Sequence, residues 1–346
     1  MFSRKIPVYY LIICIVVFSG ASYLISSMLL KKNRSEEAPA SADMATTPDC
    51  APGVTRLTGF NHIGPIANAA KDCEAGSLMP LKMNIASYIE REQQAGNAIQ
   101  ASVYLRRLAD ESWMNVNPND VFHPASLLKV PQLIAYLKKA ESEPGLLEKK
   151  FLFEKPHQDM PNQYYSARTL QPGHSYTIKE LFHFMIVYSD NNANMELVTR
   201  MDMNVFEGTF KAMKLTIPNM HDYSYQVSTR DYSKFLELLF NASYLSIDAS
   251  EYATELLAES TFKEGLVKKI PKNIAVAHKM GEWGDGNTVE LHDCGIVYVD
   301  KNPYIISVMT RGRDMARLSD IIANISSMAY DVMSTPAFAT QATAQR

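Results

Sequence analysis

Metal-binding spacings are missing from this sequence. It has no Cys-x-x-Cys pair and no His-Glu-x-x-His, so no zinc site announces itself. Cysteine is scarce: Cys14, Cys50, Cys73 and Cys294 are the only four. Cys50 and Cys73 flank a short segment where a disulfide would persist outside the cytoplasm. Two free thiols are the alternative, because spacing does not fix pairing. A basic excess is missing too. With 34 Lys and Arg against 37 Asp and Glu the net charge is −3, which excludes the usual electrostatics of a nucleic-acid binder. No internal repeat occurs. What is present is a chain of 346 residues, 47% hydrophobic and 21% charged. That composition excludes a largely disordered protein and suffices for one or two domains with a sizeable core.

One long apolar run stands out at residues 7–30, between Arg4 and Lys5 on one side and Lys31, Lys32 and Arg34 on the other. A helix of about 20 apolar residues spans a bilayer. A cleaved signal peptide is the rival, with Ser19-Gly20-Ala21 as a loose cleavage site. The apolar sequence continues past that site through Tyr23, Leu24, Ile25 and Leu29, and a signal core is only about 7–15 residues long, so a retained anchor is favoured. Cys14 follows Leu-Ile-Ile and lacks the small neighbours expected for lipid attachment. Basic residues at both ends leave the orientation open. They also make the rest of the chain more acidic than the whole.

After residues 1–34, the anchor or signal segment, a stretch rich in Ser, Glu, Ala, Pro and Thr reads as a flexible stalk, taken as residues 35–79. A folded domain is expected over residues 80–335 and a disordered tail over 336–346. Within the domain, apolar spacing predicts a helix over 81–94, two short strands over 98–105 and 111–116, and a helix over 124–141 opened by Pro124. Helical pieces follow at 177–188, 192–200, 204–213, 231–240 and 250–257. Strands return at 274–279, 288–299 and 304–310, the last two joined by the turn Asp300-Lys301-Asn302-Pro303. A last helix covers 315–333. Strands near both ends of the chain can share one antiparallel sheet covered by the terminal helices. The middle then forms an all-helical lobe, with a cleft between the two layers.

Three short motifs carry chemistry. Ser126-Leu-Leu-Lys129 places a hydroxyl and an amine three residues apart at a helix start, on one face. A lysine serves as base to a serine once burial keeps it neutral, and a helix N-terminus supplies free amides for an oxyanion. Ser-x-x-Lys alone is weak: Ser260-Thr-Phe-Lys263 repeats it, and a capping serine with a solvated lysine explains either copy. Ser189-Asp190-Asn191 ends an apolar helix. It reads as a stop and cap, or as a hydroxyl and an amide placed to relay a proton and hold a substrate amide. His278-Lys279-Met280-Gly281 lies on a late strand. It is an ordinary strand end, or a place where Lys279 attracts a substrate carboxylate and Gly281 permits close approach.

Together and in this order the motifs resemble the class A β-lactamase and penicillin-binding protein superfamily. Supporting stretches are Val227-Ser-Thr-Arg-Asp231 and His292-Asp-Cys-Gly-Ile-Val-Tyr298, and the likeness covers about residues 81–333. It implies an α+β fold with a five-stranded antiparallel sheet, flanking terminal helices and a helical lobe. It implies Ser126 as the acylated nucleophile, Lys129 as base and Ser189 as proton donor to the leaving nitrogen. Asn191, Lys279 and Gly281 would bind substrate, the backbone amides of Ser126 and Glu282 would form the oxyanion hole, and no metal or organic cofactor is implied. The substrate would be a β-lactam or a peptidoglycan stem peptide, met outside the cytoplasm by a membrane-anchored domain on its periplasmic or extracellular face.

Two departures qualify that likeness. The Ω-loop glutamate that activates the deacylating water in class A enzymes has no counterpart between Asn191 and Val227. Glu196, Glu207 and Asp222 are the nearby carboxylates, and Asp231 suits a capping box with Ser228. Met280 stands where the superfamily has Thr or Ser, which removes a hydroxyl worth roughly 1.5–3 kcal/mol to a charged partner. The competing expectations are a D,D-peptidase or transpeptidase that deacylates slowly, and a catalytically weak cell-wall binding module on a stalk.

Overall fold

The computed structural model describes residues 55–335, apart from residues 58, 69–73, 158–162, 166–167, 220–223 and 301. The expected membrane segment, Cys14, Cys50, Cys73, Asp222 and the tail over 336–346 lie outside the described residues. Among the described residues no helix is long and apolar enough to cross a membrane. Cys294 is free and buried.

The chain forms the expected five-stranded antiparallel sheet. Numbered along the chain, its strands are β3 (Gln100–Arg107), β4 (Trp113–Val116), β7 (Val276–Gly284), β8 (Val289–Val297) and β9 (Tyr304–Gly312). Their order is β4-β3-β9-β8-β7, so the last strand in sequence is the central one and β7 is a free edge. Both faces of the sheet are covered. On β9, Ile306 and Val308 join the core under the terminal helices, whereas Ile305 and Met309 join the core of the helical lobe. The alternation is the two-residue period of a strand read on two buried faces.

The terminal helices α1 (Met79–Gln94) and α8 (Met315–Met333) bury Leu81, Ile85, Tyr88 and Ile89 on one, and Leu318, Ile321, Ile322, Ile325 and Ala329 on the other. These spacings make one apolar stripe per helix, and the stripes meet the sheet. The lobe holds α2 (Lys129–Ala140), α3 (Ile178–Val187), α4 (Asn191–Val198), α5 (Met203–Ala212), α6 (Thr229–Phe240) and α7 (Ile247–Ala258). The expected helix over 124–141 is split: a 3₁₀ turn at Ala125–Leu128 precedes α2, the tighter winding common at helix starts. A hairpin of β5 (Lys150–Phe153) and β6 (His174–Thr177) is absent from the sequence reading. Each of its strands has four residues, too few for alternation to register.

The stretch expected to be a stalk over 35–79 is not one throughout. Its second half carries the short pair β1 (Thr55–Arg56) and β2 (Ile66–Asn68) and lies against the domain. Arg56 Nε donates to Leu108 O at 2.6 Å and Nη1 to Asn241 Oδ1 at 2.6 Å, and its guanidinium also pairs with Glu111 and caps the Phe240 ring at 4.9 Å. The Gly64 amide donates to Phe240 O at 2.7 Å, and a Cβ at Gly64 would meet the Phe240 ring at 3.0 Å. Glu251 accepts from the His62 amide at 3.0 Å. One arginine and one close-packed glycine hold a segment that has no apolar period to reveal it.

Candidate active site

The turn that carries Ser126 is pinned to the sheet before the serine is reached. Phe122 exchanges backbone bonds with Val227. The His123 amide donates to Glu290 Oε2 at 2.9 Å, and the His123 ring stacks on Trp283 with centroids 4.0 Å apart. His292 Nδ1 accepts from the Thr310 amide at 3.2 Å, so its proton sits on Nε2 and is donated to His123 O at 3.0 Å. Glu290 lies beneath this turn with its side chain fully buried. Burial pushes its carboxyl up, but bonds from His292 and Arg311 outweigh burial and hold it at about 2.

Ala125, next to the serine, has φ 48°, a left-handed conformation that is costly for a residue with a Cβ. Ser126 follows in the 3₁₀ turn and is half-buried. Strand β7 closes on this turn. A Cβ on Gly281 would sit 2.7 Å from Pro124 O and 2.9 Å from Leu127 Cγ, so only glycine permits the approach.

One turn on, Lys129 is 3% exposed and its amine has three acceptors: Ser189 O at 2.6 Å, Asn191 Oδ1 at 2.8 Å and Ser189 Oγ at 3.3 Å. Burial, with the Lys279 cation nearby, holds the Lys129 amine well below the usual lysine range, against the pull of Asp190 and Glu282. Three acceptors would saturate an ammonium, and a neutral amine frees a lone pair. Ser189 has φ 57°, again left-handed. Lys279 Nζ donates to Ser189 Oγ at 2.7 Å and to Met280 O at 3.1 Å. Burial lowers Lys279 to about 7, with Asp293 and Glu282 opposing. Ser189 therefore stands between two buried amines.

The middle residue of Ser189-Asp190-Asn191 has the plainer role. The Asp190 carboxylate accepts from Asn192 N at 3.2 Å, Ala193 N at 3.1 Å, Thr169 Oγ1 at 2.9 Å and Leu170 N at 3.2 Å. It caps α4 and fixes the loop, so that Ser189 and Asn191 face Lys129. His278, before Lys279, is buried against Asp293 at 2.8 Å.

A cleft of about 210 Å3 adjoins Ser189 and Lys279. Lys263 and Ser260, the second Ser-x-x-Lys, line it as well, but the pair does not repeat the first. Lys263 Nζ donates to Ser260 O at 2.6 Å. Met280 also borders the cleft, and at 2% exposure it packs into the core beneath the terminal helices.

Sequence reasoning placed Glu282 here for its amide alone and missed its side chain. The carboxylate accepts from Tyr164 N at 3.0 Å and from Tyr165 N at 3.2 Å. Burial raises its pKa, while those amides and then Lys279 and Lys129 lower it. Gln163 of the same loop donates to Ser189 O at 3.0 Å. The available signal was an acidic residue directly after Lys-Met-Gly on an edge strand.

None of the described carboxylates named as stand-ins for the Ω-loop glutamate is free for that task. Glu196 pairs with His157 at 2.9 Å and Arg200 at 2.7 Å, and Glu207 pairs with Lys211 at 3.0 Å on the outside of α5. Ser228 caps α6 by accepting from Asp231 N at 3.1 Å, and it donates its hydroxyl to the Asp231 carboxylate at 3.0 Å. Among the described residues one group, His62, Glu251 and Glu255, has donor atoms close enough to hold a metal ion. It joins His62 of the docked N-terminal segment to Glu251 and Glu255 of α7, and Glu251 already accepts the backbone amides of Asn61 and His62.

The profile of the Beta-lactamase enzyme family matches residues 81–333, and the chain belongs to that family. The same fold recurs in solved structures. PBP-A aligns with TM-score 0.63 and 22% identity over 77% of this chain and 98% of its own. A PBP-A mutant in an acyl-enzyme complex with penicillin G aligns with TM-score 0.61 and 24% identity over 74% and 96%. The TLA-1 extended-spectrum β-lactamase aligns with TM-score 0.63 and 21% identity over 73% and 99%. No curated protein sequence matches the chain.

Proposed function

We propose that the protein is a serine acyl-transfer hydrolase that opens β-lactam rings through an acyl-enzyme on Ser126. The observation that carries this reading is the buried Lys129–Ser189–Lys279 chain beside the serine turn. Neutral Lys129 takes the Ser126 proton as Oγ bonds to the carbonyl carbon. The amides of Ser126 and Glu282 hold the oxyanion. As the C–N bond breaks, Ser189 passes a proton to the leaving nitrogen and is resupplied by the lysines. Asn191 holds the substrate's side-chain amide, and Gly281 keeps the strand edge open to it. Residues 1–34 place this domain outside the cytoplasm, attached by the apolar run over residues 7–30.

A second reading is favoured by the paired state of Glu196 and Glu207. With Glu196 and Glu207 both engaged, neither is spare to activate water, and the acyl-enzyme persists. The protein then behaves as a D,D-peptidase or transpeptidase that β-lactams trap. The deciding experiment follows the intact mass of full-length protein in mild detergent with penicillin G, beside Ser126→Ala. An adduct that clears as penicilloate accumulates establishes the hydrolase, and a lasting adduct on Ser126 establishes the second reading. Absence of any adduct with every β-lactam tried removes both and leaves a binding module.

A further inference from the structure

The charge balance around Lys279 is unusual for a site expected to hold an anionic substrate group. Burial lowers Lys279 to about 7, against the pull of Asp293 and Glu282, which weakens it as a cation. Lys129 is pushed further down. Of the other charged residues lining the cleft, Glu264 is paired with Lys268 at 2.9 Å, and Lys263 donates to its own Ser260 carbonyl. Glu282 adds a carboxylate that, among the described residues, forms no ion pair. It acts electrostatically on both buried lysines and, among the described residues, accepts from the Tyr164 amide at 3.0 Å and the Tyr165 amide at 3.2 Å. Met280, buried in the core, offers no hydroxyl to an incoming carboxylate.

We infer that Glu282 is a specificity-determining residue that makes the site discriminate against acyl donors with an anionic group next to the reacting carbonyl and favours neutral or cationic ones. The reason is elementary electrostatics. A like charge near Lys279 weakens the attraction of that amine for a substrate anion, and the effect is strong where water is partly excluded. The same carboxylate binds the loop over 163–165 to the β7 edge. A substrate anion would compete with Glu282 for those amides as well as for Lys279.

The inference rests on the acyl-transfer reading, and its test separates the two. The probes are penicillin G, an anion, and its uncharged methyl ester. Acylation rates of full-length protein are read by intact mass for wild type, Glu282→Gln and Glu282→Asp. Dissociation constants for both probes are read by calorimetry in the Ser126→Ala background, with and without Glu282→Gln. The ratio of penicillin G to ester is expected to rise at least about tenfold in Glu282→Gln, in rate and in affinity, and to stay near wild type in Glu282→Asp. A carboxylate that merely held the loop would change both probes by one common factor, and that result overturns the inference. If Ser126 is acylated by neither probe, the acyl-transfer reading falls, and the affinity ratio still decides the charge preference.

Discussion

At Gly281 a missing side chain lets the edge strand reach the turn that carries Ser126. Both groups that a Cβ would strike, Pro124 O and Leu127 Cγ, belong to the segment that presents Ser126. The carbonyl is backbone and yields only if the turn moves. Gly281→Ala is therefore expected to cost about 1–3 kcal/mol of stability, the usual penalty for overpacking. It should also slow Ser126 acylation at least about tenfold, since displacements near 1 Å at a reacting centre cost on the order of a hundredfold. Thermal unfolding and intact-mass acylation together check this, and a wild-type acylation rate in the variant would show that the contact does not position the serine. The sequence motif made Gly281 visible, but the reason for it, a collision with Pro124 and Leu127, needs two distant segments in contact. Glu282 was hidden in the same way: its neighbours Tyr164 and Tyr165 are more than a hundred residues away in the chain.

Among the elements, legibility tracked length and period. Helices α1 and α8 and strands β8 and β9 repeat apolar residues over many positions, and each was foreseen to within a few residues, whereas β7 runs on from its expected end at 279 through Gly284. The four-residue β5 and β6 were not, because pairing across a long connection decides them. Strand β8 was legible as a strand, but not as the anchor of the active-site turn, which depends on the buried Glu290. That carboxyl sits at about 2, against an ordinary value of 4.5. Its folded pKa is depressed, so the stabilisation is fully present above pH 4.5 and is lost as pH falls toward 2. Roughly 3 kcal/mol is at stake over that window. Wild-type stability in denaturant titrations should fall across this range, and Glu290→Gln should show a flatter curve there with lower stability at pH 7. Parallel curves for the two proteins would mean that Glu290 does not contribute this linkage.

On the scale of the whole molecule, both ends of the described chain return to the sheet. The segment from Thr55 to Asn68 closes over the side where α6 ends and the β3–β4 turn begins. Periodicity missed it because its hold lies in a few polar contacts, with Glu251 and Tyr298 bonding His62 and Arg56 making the largest set. The Arg56 guanidinium serves Leu108, Gly64, Asn241 and Glu111 at once and covers Phe240, a set of partners drawn from three separate stretches of sequence. Glu111 itself is buried, has φ 64°, and also accepts from Arg106 at 2.6 Å. Removing Arg56 strips this carboxylate of one of its two cations and leaves buried acceptors without donors. Breaking one partner of a buried pair costs about 3–5 kcal/mol, and the exposed share of Arg56 argues for the lower end. Arg56→Ala should therefore lower the melting temperature by several degrees and expose residues 55–68 to limited proteolysis. Ser126 acylation at low temperature should stay near wild type, because the clamp touches none of Lys129, Ser189 or Lys279. If Arg56→Ala melts like wild type while the segment becomes protease-sensitive, the segment is docked but contributes nothing to the fold. If acylation falls with stability intact, the clamp reaches the active site through α6 and the turn that Tyr232 holds by its bond to Leu127 O.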